Sequence, residues 1–206
     1  MSDLEDPGSR LPPEDFLTGA PRWLSDALNH CSRCGARLAH GRVAGEDRDR
    51  HHCPSCGFVA YLNPRLVVST LPVTDDGRLI LLRRAIPPGY GSWAQPGGFL
   101  EADETVIQGA VRETLEETGL IVEPTRLVGL YSRLEAAVAV VAYEARITGG
   151  QMGPTAESLE VRGFTLDDIP WPELAFNTTL WALRDWVRWV RPGAHVASLG
   201  HEDPAR

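Results

Sequence analysis

Apolar positions are sparse in the first sixty residues and then fall into runs whose period changes along the chain. "RLVVSTLPV" reads as a strand, "TDDGR" as its turn and "LILLRR" as the return strand. "IPPGYGSWAQPGG" is a loop by its proline and glycine content. Ile107, Val111 and Leu115 then recur every four residues, which predicts a helix over 106–118 packed on a sheet by that stripe. Thr105 and Gln108 form a capping box at its start, and Gly119 stands where a helix stops. "TRLVGLYS" and "AAVAVVAYEARI" read as strands, the second apolar enough to be buried on both faces, and "VRGFTL" as a further strand. "NTTLWALRDWVRWV" closes the pattern as a helix with Asn177 as N-cap and Leu180, Leu183, Val187 and Val190 as its stripe. Hairpins, buried strands and two helices predict the α/β class, with helices layered on a mixed sheet.

Composition narrows the function classes. The chain has 206 residues, 43% hydrophobic and 23% charged, enough for a packed domain and a small accessory module. A formal net charge of -8 argues against gripping a nucleic acid backbone, which needs a basic footprint. The acidic, proline-bearing start "MSDLEDPGSRLPPEDF" has no basic region followed by an apolar run, so it does not read as a signal peptide. No stretch approaches the roughly 18 apolar residues of a membrane span. The expected location is the cytoplasm, where cysteines point to metal rather than disulfides. The expected organisation is a leader over 1–29, with a short helix through Trp23, Leu24, Ala27 and Leu28, a cysteine module over 30–62, the α/β domain over 63–191 and a tail over 192–206.

The cysteine module carries "CSRC" and "CPSC", so Cys31 and Cys34 form one pair and Cys53 and Cys56 another, 18 residues apart. Each pair offers two thiolates at one side of a tetrahedron, and the spacing is that of a zinc ribbon; four redox-active cysteines are the competing reading. Gly35 and Gly57 follow each second cysteine, where a tight turn brings backbone amides toward sulfur. His51 and His52 could compete with Cys53 as ligands, but four thiolates complete a closed, structural Zn2+ site, which leaves these histidines as exposed side chains outside it. Such a metal stabilises a fold too small to build its own core.

The remaining feature is "RETLEETG". Glu113, Glu116 and Glu117 share one helical face at spacings where like charges repel. Hard divalent cations such as Mg2+ or Mn2+ take carboxylate oxygens and also bridge phosphate oxygens, so cations between these acids would relieve the repulsion. The plain alternative is a solvated acidic face. Gly97-Gly98, then Glu104, then Arg112-Glu113 with Glu116, Glu117 and Gly119 together resemble the Nudix box, the signature of hydrolases acting on nucleoside diphosphates linked to another moiety. One position departs from it: Thr114 stands where the motif usually has an aliphatic residue.

The resemblance implies a Nudix α/β/α sandwich behind a small zinc ribbon. It implies that Glu113, Glu117 and the Gly98 carbonyl hold catalytic Mg2+ or Mn2+, that Glu116 is a ligand or proton acceptor, and that Arg112 and Glu104 hold the charged network with Gly97 and Gly119 in support. "ESLEVRGF" is similar to the Nudix segment from which a further glutamate reaches the metals, which implies Glu157 as ligand or base, with Glu160 as its rival. The branch it resembles comprises ribbon-bearing FAD and ADP-ribose pyrophosphohydrolases and, more distantly, NADH pyrophosphatases. A small nucleotide substrate, no membrane partner and a homodimer follow as expectations; a non-catalytic nucleotide-sensing regulator is the alternative outside enzymes. Arg83 or Arg84 is a candidate for the diphosphate, or a mere surface charge, and Trp93 and Tyr131 are candidates for stacking on a base, or core residues. Trp186 and Trp189, off the stripe of the last helix, are expected to cover the ribbon or a dimer partner.

Overall fold

The computed structural model describes residue 24 and residues 26–190; the expected leader up to residue 23, with Trp23 of its helix, and the tail from 192 lie outside these. Among the described residues, those up to Pro64 form one compact unit, and Arg65–Arg133 with Val138–Val190 form another.

The first unit is a three-stranded antiparallel sheet in the order β1 (Ala39–Gly41), β2 (Arg50–His52), β3 (Val59–Ala60). Its strands are too short to bury a core, and Cys31 and Cys53 are the buried side chains among its described residues. His51 and His52 are half-buried rather than exposed, because both lie on the central strand of this sheet. His40 on the neighbouring strand is exposed, its ring 4.7 Å from that of His51.

The second unit is a mixed sheet with one helix on each face. Its strands are β4 (Arg65–Val73), β5 (Leu79–Arg84), β6 (Trp93–Ala94), β7 (Gly97–Phe99), β8 (Leu120–Arg133), β9 (Val138–Gly150) and β10 (Ser158–Phe164), with the main order β10-β5-β4-β9-β8. β4 runs parallel to β9 over its whole length, which buries both strands centrally and explains their near-continuous apolar runs. The predicted loop before the acidic helix contains two short strands. Gly97 lacks a side chain, and a Cβ there would fall 2.5 Å from that of Ser69, so only glycine lets β7 lie so close to β4.

Helix α1 (Val106–Thr118) begins with the predicted capping box and ends at Gly119 in the left-handed conformation, φ 74°. Its buried face differs from the predicted one. Ile107 and Leu115 are 51% and 46% exposed, and Val111 alone of that stripe meets the core, beside Ile80, Leu120, Val122 and Ala145. The sheet-facing residues are Gly109, Ala110, Thr114, Glu117 and Thr118. Small side chains let the helix settle closely: a Cβ on Gly109 would come within 3.0 Å of Val68 and Leu100. Periodicity alone favours the bulkier stripe, but a close approach admits only the small one.

Helix α2 (Asn177–Val190) covers the other face, where Leu183, Ala182, Trp186 and Val187 join Leu71, Leu79, Leu81 and Phe164 in the larger core. Each of the buried Leu, Val and Phe side chains contributes roughly 1.5–3 kcal/mol by leaving water. Asn177 is the first helical residue rather than the residue before the helix. Trp186 is a core residue, 2% exposed, with its indole N–H donating to Glu144 Oε2 at 2.7 Å, while Trp189 is half-exposed under the Arg126 guanidinium. Val190, expected in the stripe, is 43% exposed at the helix end. Among the described residues no helix is long and apolar enough to cross a membrane.

Candidate active site and structural metal centre

The two cysteine knuckles are built alike. Cys31 O accepts from Gly35 N at 2.8 Å and Cys53 O from Gly57 N at 2.9 Å, with both glycines at positive φ, 75° and 72°. These turns bring all four sulfurs within 4.8 Å of one another. Cys31 and Cys56 Sγ are 3.7 Å apart and Cys34 and Cys53 Sγ 3.5 Å, close to the edge of roughly 3.8 Å of a tetrahedron with Zn–S bonds of about 2.3 Å. Burial works against ionising Cys53, but the Cys56 backbone N–H, the Cys34 thiol, the Ser55 N–H and the Cys56 thiol together bring it down to about 7. At Cys34 the Ala36 N–H is outweighed by hydrogen bonds to the other cysteines, which push that thiol up to about 12. The donors fit zinc in chemistry and in spacing.

The carboxylate site lies where α1 crosses β7. Arg112 organises it: its Nε and one terminal nitrogen bind both oxygens of Glu104 at 3.0 and 2.6 Å, and its other terminal nitrogen donates to Glu113 at 2.8 Å and Glu116 at 3.1 Å. It also reaches the Phe99 carbonyl at 3.2 Å, tying the helix to the glycine strand. Arg112 beside it holds the Glu104 carboxyl down to about 2. A depressed carboxylate stabilises the fold fully above its unfolded value, near 4.5, and that contribution is lost as pH falls toward 2. Glu104→Gln should therefore flatten the acid limb of a plot of thermal midpoint against pH between those values; an unchanged limb would rule out this ion pair as its source.

Glu117 is 3% exposed, and one of its oxygens accepts from Gly97 N at 2.7 Å. Burial pushes its carboxyl up to about 7, with Glu113 and Glu157 adding repulsion and Arg84 opposing it. Burial likewise raises Glu113. A Cβ on Gly98 would overlap the Glu113 carboxylate, so that glycine keeps open the space in front of it. Glu157 is exposed at the entry to β10, and its charge acts on both Glu113 and Glu117. Its neighbours hold it there: Ser158 Oγ donates to Glu117 O at 2.8 Å, and Ala85 N donates to Glu157 O at 2.9 Å. Glu160 pairs in register with Arg83 after a bulge and lies 3.8 Å from Arg162.

The oxygens of Glu113, Glu117 and Glu157 with the Gly98 carbonyl are a hard donor set suited to Mg2+ or Mn2+. Among the described residues, only the four cysteines bring three or more ligand atoms within 4.8 Å; the carboxylates do not converge to that degree, and Arg112 draws Glu113 and Glu116 toward itself.

The weaker candidates divide. Arg84 ends β5, acts on Glu117, and is held by Nε donation to Pro88 O at 2.8 Å with its guanidinium over Phe176. Arg83 donates from Nε to Gly91 O at 2.8 Å and pairs with Trp93 on the neighbouring strand. Trp93 and Tyr131 are not stacking surfaces. Trp93 is 4% exposed with its ring edge-on to Phe164, and Tyr131 is buried with its hydroxyl donating to Asp185 at 2.9 Å. Burial pushes the Tyr131 phenol well above its usual range. Ser158 and Ala85, which position Glu157, left no mark in the sequence that motif or period would detect.

A mixed sheet between two helices, with a carboxylate helix over a glycine strand, is the architecture shared with known proteins. A family model described as the NUDIX domain matches residues 63–190, and one described as Nudix N-terminal, a zinc ribbon, matches residues 29–62. The chain belongs to the Nudix hydrolase family. It is 33% identical over 133 residues to the ADP-ribose pyrophosphatase of Methanocaldococcus jannaschii, covering 63% of this chain and 76% of that protein. It is 30% identical over 156 residues to the NAD-capped RNA hydrolase NudC of Stutzerimonas stutzeri, covering 75% of this chain and 54% of that protein, so it spans about half the length of that relative. The crystal structure of a NUDIX hydrolase from Nitrosomonas europaea is similar with a TM-score of 0.73 at 34% identity, over 79% of this chain and 93% of that one.

Proposed function

We propose that the protein hydrolyses the diphosphate bond of an ADP-ribose-like nucleoside diphosphate derivative, ADP-ribose or FAD being the representative substrates, to a mononucleotide and a second phosphorylated product. The observation that carries this reading is the buried Glu117, raised to about 7, beside Glu113 and Glu157 at a backbone opened by Gly98. Glu113, Glu117, Glu157 and the Gly98 carbonyl would hold Mg2+ or Mn2+. When bound, the cation neutralises diphosphate oxygens and favours ionised glutamates. Glu116 or Glu157, both exposed, takes the proton of the reacting water as the water oxygen bonds to phosphorus and the P–O–P bridge breaks on the opposite side. Arg112 keeps Glu116 and Glu113 from swinging away, since four of its hydrogen bonds go to carboxylates, two of them to Glu104. Arg84 offers the diphosphate a cation beside the acids.

Support for the substrate class comes from similarity to a protein named ADP-ribose pyrophosphatase; the NudC similarity supports a second reading, an NADH pyrophosphatase-type activity. A panel of ADP-ribose, FAD, NADH, diadenosine polyphosphates and nucleoside triphosphates with Mg2+ or Mn2+ separates them. Turnover should be highest on ADP-ribose or FAD and absent in Glu157→Gln. NADH as the best substrate would transfer the assignment to the second reading, equal product release by wild type and Glu157→Gln would remove Glu157 from the site, and release from no member of the panel would remove the hydrolase reading.

A further inference from the structure

We infer that a buried hydroxyl pair, Thr70 on β4 and Thr114 on α1, sets the height of the carboxylate helix above Gly97 and Gly98, which makes both threonines positioning residues for the hydrolysis; the inference rests on the function proposed above. Both side chains are 0% exposed, and their Oγ1 atoms are 2.6 Å apart. The direction of that hydrogen bond follows from its neighbours. Thr114 Oγ1 donates to the Ala110 carbonyl at 2.7 Å, and a hydroxyl has one proton to give. Thr70 is therefore the donor and Thr114 the acceptor.

The pair closes a circuit through the site. Thr70 holds the helix by its side chain and, by its backbone N–H, the Pro96 carbonyl at 3.0 Å, one residue before Gly97. The same strand pairs Val68 with Gly98 and Ser69 with Gly97. Gly97 N in turn donates to Glu117 on the helix at 2.7 Å. Thr114 lies next to Glu113 and three residues before Glu117, so its height above β4 is theirs. Apolar groups in contact stand roughly 3.5–4.0 Å apart. An aliphatic side chain at 114, the usual residue of the motif, would therefore lift this helix by about an ångström relative to its present seat, away from the glycine strand.

Thr70→Val, Thr114→Val and the double variant test this in the full chain with its zinc in place. Thr114→Val leaves the buried Thr70 proton without an acceptor, whereas Thr70→Val leaves the Thr114 proton on Ala110. Thr114→Val should then have the lower thermal midpoint, and the double variant should recover part of the loss. With ADP-ribose and Mg2+, kcat of the double variant should fall about tenfold to a hundredfold while KM stays within about twofold. Mn2+ titration of the protein without substrate, followed by electron paramagnetic resonance, should show about tenfold weaker binding in the double variant. Val128→Ala, a core change on the other face of the sheet, serves as a control for lost stability and should leave kcat and Mn2+ binding within about twofold. Unchanged kcat and Mn2+ binding in the double variant, or equal losses in Val128→Ala, would overturn the inference. Weakened Mn2+ binding in a protein whose wild type turns over no member of the substrate panel would uphold the positioning role and remove the hydrolase reading instead.

Discussion

Replacing Glu117 by Gln should abolish turnover and at the same time stabilise the metal-free protein. A carboxylate expected to hold the catalytic cation should cost at least about a hundredfold in activity when neutralised, the upper range for groups that merely support a ligand. The stability gain has the opposite origin. Burial raises the Glu117 carboxyl to about 7 in the fold, against an unfolded value near 4.5. A raised carboxyl makes the fold bind a proton that the unfolded chain releases, so its contribution is complete below about 4.5 and is lost as pH rises through 7. Metal-free wild type should therefore lose roughly 3 kcal/mol between pH 4.5 and 8 from this group. Gln is neutral throughout and its carbonyl still accepts the Gly97 N–H, so in EDTA the variant should melt above wild type at pH 8 and level with it near pH 4.5. Parallel curves at both pH values would show that burial of the charge is not what this site opposes.

Removing the ribbon's metal should unfold the first unit and leave the second folded. Cys31 and Cys53 are the buried side chains among the described residues before 65, and strands of two or three residues supply no other core. Zinc binding to such a site is worth roughly 10 kcal/mol or more, larger than anything else available to a segment this small. The second unit has its own core around Leu71, Leu81, Phe164 and Leu183. Hydrogen exchange should show residues 29–62 losing protection in Cys53→Ser or after chelation, with β4, β9 and α2 retaining theirs. Metal analysis should find about one zinc per chain in the wild type. Full protection of the ribbon in zinc-free protein would mean that the thiols fold it unaided.

Several features were legible because they are local. The Thr105–Gln108 capping box, the stop at Gly119 and the glycine-terminated cysteine knuckles each depend on residues within four positions of one another. The link from Arg112 to Glu104, Glu113 and Glu116 is nearly as local, being made along and just ahead of one helix. The larger misreadings depend on what another element brings. Ile107 and Leu115 have the right period to be buried, yet the sheet meets the neighbouring face of Gly109, Ala110 and Thr114. Trp93 and Tyr131 look like platforms until Phe164 and Asp185 arrive from elsewhere in the chain and enclose them.

The same division holds for the chemistry. Spacing alone determined which residue types share a face and which cysteines share a knuckle, because backbone period and turn geometry are properties of a few consecutive residues. Tertiary structure decided the burial that raises the Glu117 carboxyl, the seat of the helix on Thr70 and the approach of the Glu157 charge to Glu113 and Glu117. Burial, hydrogen-bond partners and distances between segments exist only once β4, β7 and β10 have closed around that helix.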